Sequence, residues 1–281
     1  MSAVMRGQRV GVVGPLTGPR AAYGEWLRKA VQGSSLPLIW ADDAADPVVA
    51  VAAARRLLAG GAGVVIGHFN SECARSAGAL YQAAGVPLLL PAATAPDLCR
   101  TVGAFRLCAS ELQQVITIVD YLAQVYTQVE EFWSDGSPYG ERLASALQQR
   151  LLPMTLQGAS QSVCALMGSH VAVAAEIRRR ARPGTVYLVP DDCVVEEFGE
   201  LLAGTGAITL CPHATPDFGD CARMALRFVA AAVEEGCAVR EYLDAHADFD
   251  QGQYRHADYI MKWHEYSIFP DHDKGRHHHA T

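Results

Sequence analysis

Two short runs carry the residue types from which a small-molecule site is built. Residues 67–74 read GHFNSECA and residues 91–96 read PAATAP. In the first, Ser71 follows an aromatic and an amide at the expected start of a helix. A hydroxyl there either satisfies one orphan helix amide as an N-cap or receives a carboxylate, because helix N-termini attract anions. In the second, small Ala92 and Ala93 allow a ligand to touch backbone. Thr94 adds both an N–H and a hydroxyl between two prolines. Two hydroxyls and several amides on neighbouring strand ends describe a cradle for a small carboxylate or amide.

The same residues admit a different chemistry. Cys73 opens the helix and His68 lies five residues earlier. A thiol at a helix start with an imidazole base nearby is the minimum for a nucleophilic enzyme. A cysteine on a helix is also ordinary packing material. Thiol reactivity at Cys73 against the other seven cysteines separates the two readings.

The elements needed to position these residues are legible in the hydropathy pattern. Apolar strands are expected at Arg9–Val13, Leu36–Trp40, Val64–Ile66 and Val86–Leu90, with helices over about 21–32, 48–59, Ser71–Ala84 and Glu111–Tyr126. The second half repeats the rhythm with a strand at Glu130–Ser134, helices at Tyr139–Leu151 and Val171–Arg180, and a strand at Thr185–Val189. A long helix at Asp220–Glu235 and an alternating edge strand at Asp258–Tyr266 close the chain. Short all-apolar strands alternating with amphipathic helices predict a parallel sheet covered on both faces. Two such halves predict two doubly wound, Rossmann-like α/β lobes with a cleft between them. The expected division is 1–112 plus about 212–245 for the first lobe, 113–211 plus about 246–270 for a smaller second lobe, and a 271–281 tail. The three histidines of that tail are read as a frayed end.

In open parallel sheets ligands sit at the carboxyl ends of strands. The first strand ends in GPLTGPRAAYG, which brings Thr17 and Tyr23 forward. The third brings His68, Phe69, Asn70 and Ser71, and the fourth brings Ala92, Ala93 and Thr94. In the second half the strand ends are SDGSPYG, with Tyr139, and PDD, with Asp191 and Asp192.

Composition narrows the function. Of 281 residues half are apolar and 19% charged, a globular balance. The net charge of −7 with no extended basic block argues against nucleic acid. The run Arg178-Arg179-Arg180 is read as compensation of a helix dipole. No stretch approaches the ~18 uninterrupted apolar residues of a membrane span. The start, MSAVMRGQRVGVVGPL, lacks a signal-peptide pattern, so a cytoplasmic location is expected, or a periplasmic one if an export signal has been removed. Eight cysteines without a Cys-x-x-Cys pair argue against zinc-ribbon or thioredoxin chemistry and fit a reducing compartment. Neither GxGxxG nor a phosphate-binding GxxxxGK[ST] run is present, and no cofactor or metal is expected.

The run from Asp42 to Leu98, DDAADPVVAVAAARRLLAGGAGVVIGHFNSECARSAGALYQAAGVPLLLPAATAPDL, resembles the leucine/isoleucine/valine-binding protein family, the type I periplasmic binding proteins. GPLTGPRAAYG is similar to that family's opening, SPYGERLASAL to the start of its second lobe, and FDQGQYRHADYIMKWHEY to its closing strand. The resemblance implies a non-enzymatic protein that closes its lobes on a small aliphatic amino acid or amide. Its role would be the solute-binding component of ABC transport, or a cytoplasmic ligand sensor.

By that resemblance Ser71 and Thr94 hold the ligand carboxylate, and Thr94 with the Ala92 carbonyl receives the ammonium. Tyr23 and Tyr139 form aromatic walls, and Phe69, Asn70 and Ala93 flank the pocket. The family's first-lobe disulfide would need cysteines where this chain has Ala45 and Asn70. The chain reaches its 220–235 helix soon after Asp192, which implies a shortened second lobe without the family's acidic ammonium partner. Asp191 or Asp192 is the candidate substitute, and capping of the following helix is the alternative role for both. Expected partners are the ligand, a permease or a regulatory protein, and a second copy of the chain. A paralogue that has lost ligand binding and serves as an interaction module is the remaining alternative.

Overall fold

The computed structural model describes residues 9–125, 127–152, 161–180 and 185–266. The histidine-rich tail lies outside the described residues, as does Tyr126, the expected end of the fourth helix. The chain divides into two compact units, Met1–Thr117 with His213–Ile260, and Ile118–Pro212 with Met261–Thr281.

In the first unit, strands β1 (Arg9–Gly14), β2 (Leu38–Asp42), β3 (Ala62–Ile66), β4 (Leu88–Leu90) and β5 (Phe105–Arg106) alternate with helices α1 (Ala21–Val31), α2 (Pro47–Ala59), α3 (Ser71–Ala83) and α4 (Leu98–Val102). Helix α5 (Glu111–Gln124) follows. The strands run in the order β2-β1-β3-β4-β5 and every pair along it is parallel. The order reverses at β1, the switch point at which doubly wound sheets place ligands.

Local chemistry accounts for the element starts. Asp46 accepts hydrogen bonds from the Val48 and Val49 amides, and Pro47 opens α2 without an amide to satisfy. Helices α2 and α3 meet through Ala50, Ala53, Ala54 and Leu57 on one side and Cys73, Ala74, Ala77 and Tyr81 on the other. Small side chains let the two helices approach closely, and the cluster continues into Val65, Leu88 and Leu90 of the sheet.

The second unit holds β6 (Thr127–Ser134), α6 (Pro138–Leu151), β7 (Gln161–Met167), α7 (His170–Arg180), β8 (Val186–Leu188) and α8 (Glu196–Leu202). Strand β9 (Ile208–Thr215) then leads into α9 (Phe218–Glu235) and α10 (Val239–His246). Strands β10 (Phe249–Asp250) and β11 (Gln253–Tyr254) form a hairpin that adds to the β5 edge of the first sheet. The last strand, β12 (Asp258–Glu265), forms the edge of a second sheet ordered β12-β9-β8-β7-β6.

One element boundary is corrected here. Helix α8 and strand β9 occupy the segment between Asp192 and the long helix. The long helix begins at Phe218, where the Asp217 carboxylate accepts from the Asp220 amide, and not at Asp220 itself.

The arginine run at the end of α7 is an ion-pair network. Arg179 and Arg180 both bond Glu176, Arg180 reaches Glu131, and Arg178 donates to the Leu201 carbonyl. The hydrogen bond from Arg179, joined by Arg180, holds the Glu176 carboxyl down at about 2 against an ordinary 4.5. A carboxyl depressed on folding stabilises the native state above its unfolded value, and that stabilisation is lost as pH falls towards the folded value. Glu176→Gln is therefore expected to destabilise the protein at neutral pH, by an amount that shrinks between pH 4.5 and about 2. Urea midpoints of both proteins across that range check it.

Candidate functional site

The carboxyl ends of β1, β3 and β4, three neighbours in the first sheet, lead into the segments that hold the expected site residues. After β1, the Asp42 carboxylate accepts from the Leu16 amide at 2.8 Å and the Thr17 hydroxyl at 2.6 Å. Thr17 thus anchors the first loop to β2. Tyr23 on α1 is buried, and its ring lies 6.3 Å from that of Phe69, centroid to centroid. Gly24 keeps the helix against the loop, because a Cβ there would stand 2.4 Å from the Pro15 carbonyl oxygen. Gly24→Ala is expected to force α1 away from the loop, which a lowered melting temperature would reveal.

At the end of β3, the N-cap of α3 is Asn70, and Ser71 is the first helical residue. Ser71 as N-cap is therefore corrected by one position. No side chain caps this helix, and the first amides of any helix lack intrahelical partners. The Ser71 hydroxyl oxygen accepts from the Ala95 amide at 3.1 Å. A hydroxyl has one donor and two acceptor positions, so this bond leaves the Ser71 proton for an acceptor. The buried Oδ1 of Asn70 has no hydrogen-bond partner among the described residues.

The loop after β4 is buried throughout, with Ala92 at 8% exposure, Ala93 at 0% and Thr94 at 5%. Its position is set from behind. The Arg106 guanidinium, itself buried, donates to the Thr94 and Ala95 carbonyls and to the Gln253 side chain. The Thr94 carbonyl accepts the Glu111 amide at 2.9 Å, and the Thr94 hydroxyl faces Glu111 Oε1 at 3.4 Å. Ser71 and the Thr94 loop are thus joined directly, through Ala95.

The thiol-enzyme alternative fails on geometry. Cys73 is fully buried in the α2–α3 core, and burial pushes its thiol well above the ordinary value. His68 is equally buried and engaged at both nitrogens, with Asp43 at 2.6 Å and the Tyr81 hydroxyl at 3.2 Å. An un-ionised thiol is a poor nucleophile. Cys73 is expected to be among the slowest of the eight cysteines to react with a soluble thiol reagent in the native protein, a rank that mass spectrometry of labelled peptides reads.

In the second unit, Tyr139 in the first turn of α6 hydrogen-bonds Asp191. Asp192 accepts the His170 amide at 2.8 Å and faces the His170 imidazole at 3.4 Å, while the other ring nitrogen reaches Glu197 at 3.1 Å. Asp192 therefore supports the start of α7, the preceding helix. The capping alternative is corrected in this respect, since no side chain caps the helical turn at Asp191–Val194 that follows. Both aspartates are buried and bonded within this unit.

Sequence reasoning passed over Arg106, Glu111 and Gln114. The available signal was a charged and an amide side chain on the face that α5 buries, where Val115, Ile118 and Leu122 continue the stripe.

Parallel doubly wound sheets with loops of this kind at their carboxyl ends are the architecture of the periplasmic binding proteins. The chain belongs to that family, whose profile matches residues 7–151. A Leu/Ile/Val-binding protein homologue of Brucella abortus is 32% identical over 158 residues, covering 50% of this chain and 43% of the relative. The Leu/Ile/Val-binding protein of Escherichia coli K12 is 33% identical over 161 residues, 51% of this chain and 43% of that one. The match thus spans less than half the length of either relative. Among solved structures, the leucine-binding protein of Thermotoga maritima superposes with a TM-score of 0.72 at 16% identity, covering 86% of this chain and 88% of that one. A branched-chain amino acid transporter substrate-binding protein of Streptococcus pneumoniae, in complex with isoleucine, gives 0.73 at 15% identity, covering 91% and 99%. The fold is that of these proteins. Among the described residues no helix is long and apolar enough to cross a membrane.

Proposed function

We propose that this protein binds a small aliphatic amino acid, or its uncharged amide relative, without transforming it. The observation that carries this reading is the hydrogen bond from Ala95 to Ser71, which joins the start of α3 to the loop after β4. A carboxylate at that junction accepts the Ser71 proton and the α3 amides, and the helix dipole favours its charge. The unpartnered Asn70 oxygen takes a donor from the ligand or its water. Tyr23 and Phe69 support this end of the site, the backbone of Ala92 and Ala93 lies beside it, and Thr94 contributes a hydroxyl.

Relatives named as Leu/Ile/Val-binding proteins support the ligand class. Eight free cysteines favour a reducing compartment. We therefore favour a cytoplasmic ligand sensor working through a partner protein over the solute-binding component of a permease.

Calorimetric titration with leucine, valine and simple amides tests the site. Leucine binding is expected, and Ser71→Ala weakens it about 10-fold or more, since a hydrogen bond to a charged group is worth about 1.5–3 kcal/mol. Thr94→Val weakens it as well. Tight leucine binding untouched by both variants places the ligand elsewhere, while no binding to any of these compounds favours an interaction module.

A further inference from the structure

Strand β12 lies at the edge of the second sheet, and among the described residues its one neighbouring strand there is β9. The two strands run antiparallel. Ala257 and Tyr259, at the start of β12, belong to a cluster against which Ala214, late in β9, packs. At the other end, the amide of Tyr266, just beyond β12, donates to the carbonyl of Ala207, just before β9. In an antiparallel ladder alternate residues turn their backbone groups to the same neighbour. The Tyr266 bond therefore turns the even-numbered residues of β12 towards β9, and it leaves the backbone groups of Tyr259, Met261 and Trp263 at the open edge. Side chains alternate too, between the two faces. Asp258, Ile260 and Lys262 share one face, and all three are exposed, Ile260 at 48%. An edge of this kind is a template for another strand.

We propose that the open edge of β12 receives β12 of a second copy of this chain, antiparallel and centred on Ile260. Charge complementarity selects both the occupant and the register. A two-fold axis at Ile260 sets that residue opposite itself, Asp258 opposite the partner's Lys262, and Lys262 opposite the partner's Asp258. Opposite charges directly across an antiparallel pair attract, and here they flank an apolar contact on both sides. Tyr259 then exchanges backbone bonds with the partner's Met261, and these are residues whose groups face outward. No neighbouring register does as well. An axis at Met261 sets Ile260 against lysine, and an axis at Lys262 sets lysine against lysine. An axis between two residues opposes an outward-facing residue to one turned towards β9 and loses the bonds. At the far end of the same sheet, β6 carries Glu130 and Glu131 and neither lysine nor arginine, so no self-pairing there matches charges. A two-fold contact uses each edge once, so association stops at the dimer. One strand pair makes a small interface, which places the dimer at the weak end of specific association. The inference does not rest on the amino-acid reading, since no residue of the Ser71–Thr94 site takes part.

Sedimentation equilibrium of the full chain over a range of concentrations reads the association, with circular dichroism confirming the fold of each variant. The wild type is expected to distribute between monomer and dimer. Asp258→Lys alone sets lysine against lysine twice, and Lys262→Asp alone sets aspartate against aspartate twice. Each raises the dimer dissociation constant at least about 10-fold, the scale for exchanging two attractive cross-strand pairs for two repulsive ones. An equimolar mixture of the two variants sets lysine against aspartate at both positions and restores a dimer, now mixed. Met261→Pro removes an amide from the open edge and leaves the β9 side of the strand intact, so it abolishes the dimer and keeps the fold. A dimer indifferent to both single variants places the interface elsewhere and overturns the proposal. Variants that dissociate and stay monomeric when mixed overturn the register centred on Ile260. A wild type that is monomeric at every concentration overturns the dimer and leaves Lys262 as a charge that keeps edges apart.

Discussion

His68→Leu is expected to lower the unfolding free energy of the first unit by about 3–5 kcal/mol, because removing one partner of a buried hydrogen-bonded acid leaves the other unsatisfied in the interior. Asp43 and His68 are both fully buried, and Asp43 Oδ2 lies 2.6 Å from the imidazole Nδ1. The other Asp43 oxygen accepts only the Ala45 amide among the bonds observed, at 3.0 Å. Leucine fills much of the imidazole volume but supplies no donor, so the Asp43 oxygen and the Tyr81 hydroxyl lose their shared partner together. The cost of a polar group left unpaired exceeds the net worth of the bond that satisfied it. His68→Gln, which retains a donor, recovers part of the loss. Urea titration of the full chain reads both effects as shifts in midpoint at unchanged slope. A His68→Leu protein within about 1 kcal/mol of wild type would mean that water reaches Asp43.

Arg106→Met destabilises the same unit by about 2–4 kcal/mol and also weakens leucine binding. The stability loss comes from acceptors left behind. The Ala95 carbonyl and the Gln253 side-chain oxygen each lie 2.5 Å from guanidinium nitrogens, with the Thr94 carbonyl at 3.3 Å. Methionine follows the path of the arginine stem and offers none of them a donor. The binding loss has a separate cause. The loop after β4 has its carbonyls turned onto Arg106, and this orientation presents its other side, including the Ala95 amide bonded to Ser71, to the start of α3. A site whose supporting groups are removed keeps its residues and loses their geometry. Leucine affinity is expected to fall at least about 10-fold, equivalent to 1.4 kcal/mol. Thermal melting and calorimetry on one preparation separate the two effects, and Arg106→Lys, which restores a charge without the planar fork, recovers stability more than affinity.

The first unit was largely legible in the sequence, and the reason is periodicity. Strands β1 to β4 are short apolar runs between punctuating turns, and α1 to α3 carry apolar stripes with caps such as Asp46-Pro47 at their starts. The later elements were harder. Strand β9 carries Pro212, which argues against a strand, yet it pairs with β8 through Ile208, Thr209 and Leu210, before the proline. Strand β7, SVCALM with its leading glutamine, has no alternation to distinguish it from a buried helix turn. Helix α8 is only seven residues long, below the length at which a periodic pattern becomes distinct.

What the sequence determined by itself was the class of fold and the strand-end segments from which the site is proposed. Strand rhythm identifies a parallel sheet, and a parallel sheet offers its loops at the carboxyl ends of its strands, where the chain carries Phe69, Asn70, Ser71, Ala92, Ala93 and Thr94. These are properties of neighbours along the chain. Which hydroxyl bonds which amide is a property of neighbours in space, and only the tertiary structure decided it. Ser71 meets Ala95 across 24 positions, His68 meets Asp43 across 25, and Arg106 meets Gln253 across 147. No local propensity encodes such pairs, because each exists only after sheet register has brought distant strand ends together. The same holds for Glu111 and Gln114. Their side chains read as an ordinary polar helix start, and only packing shows that both are buried, with Glu111 against the Thr94 hydroxyl.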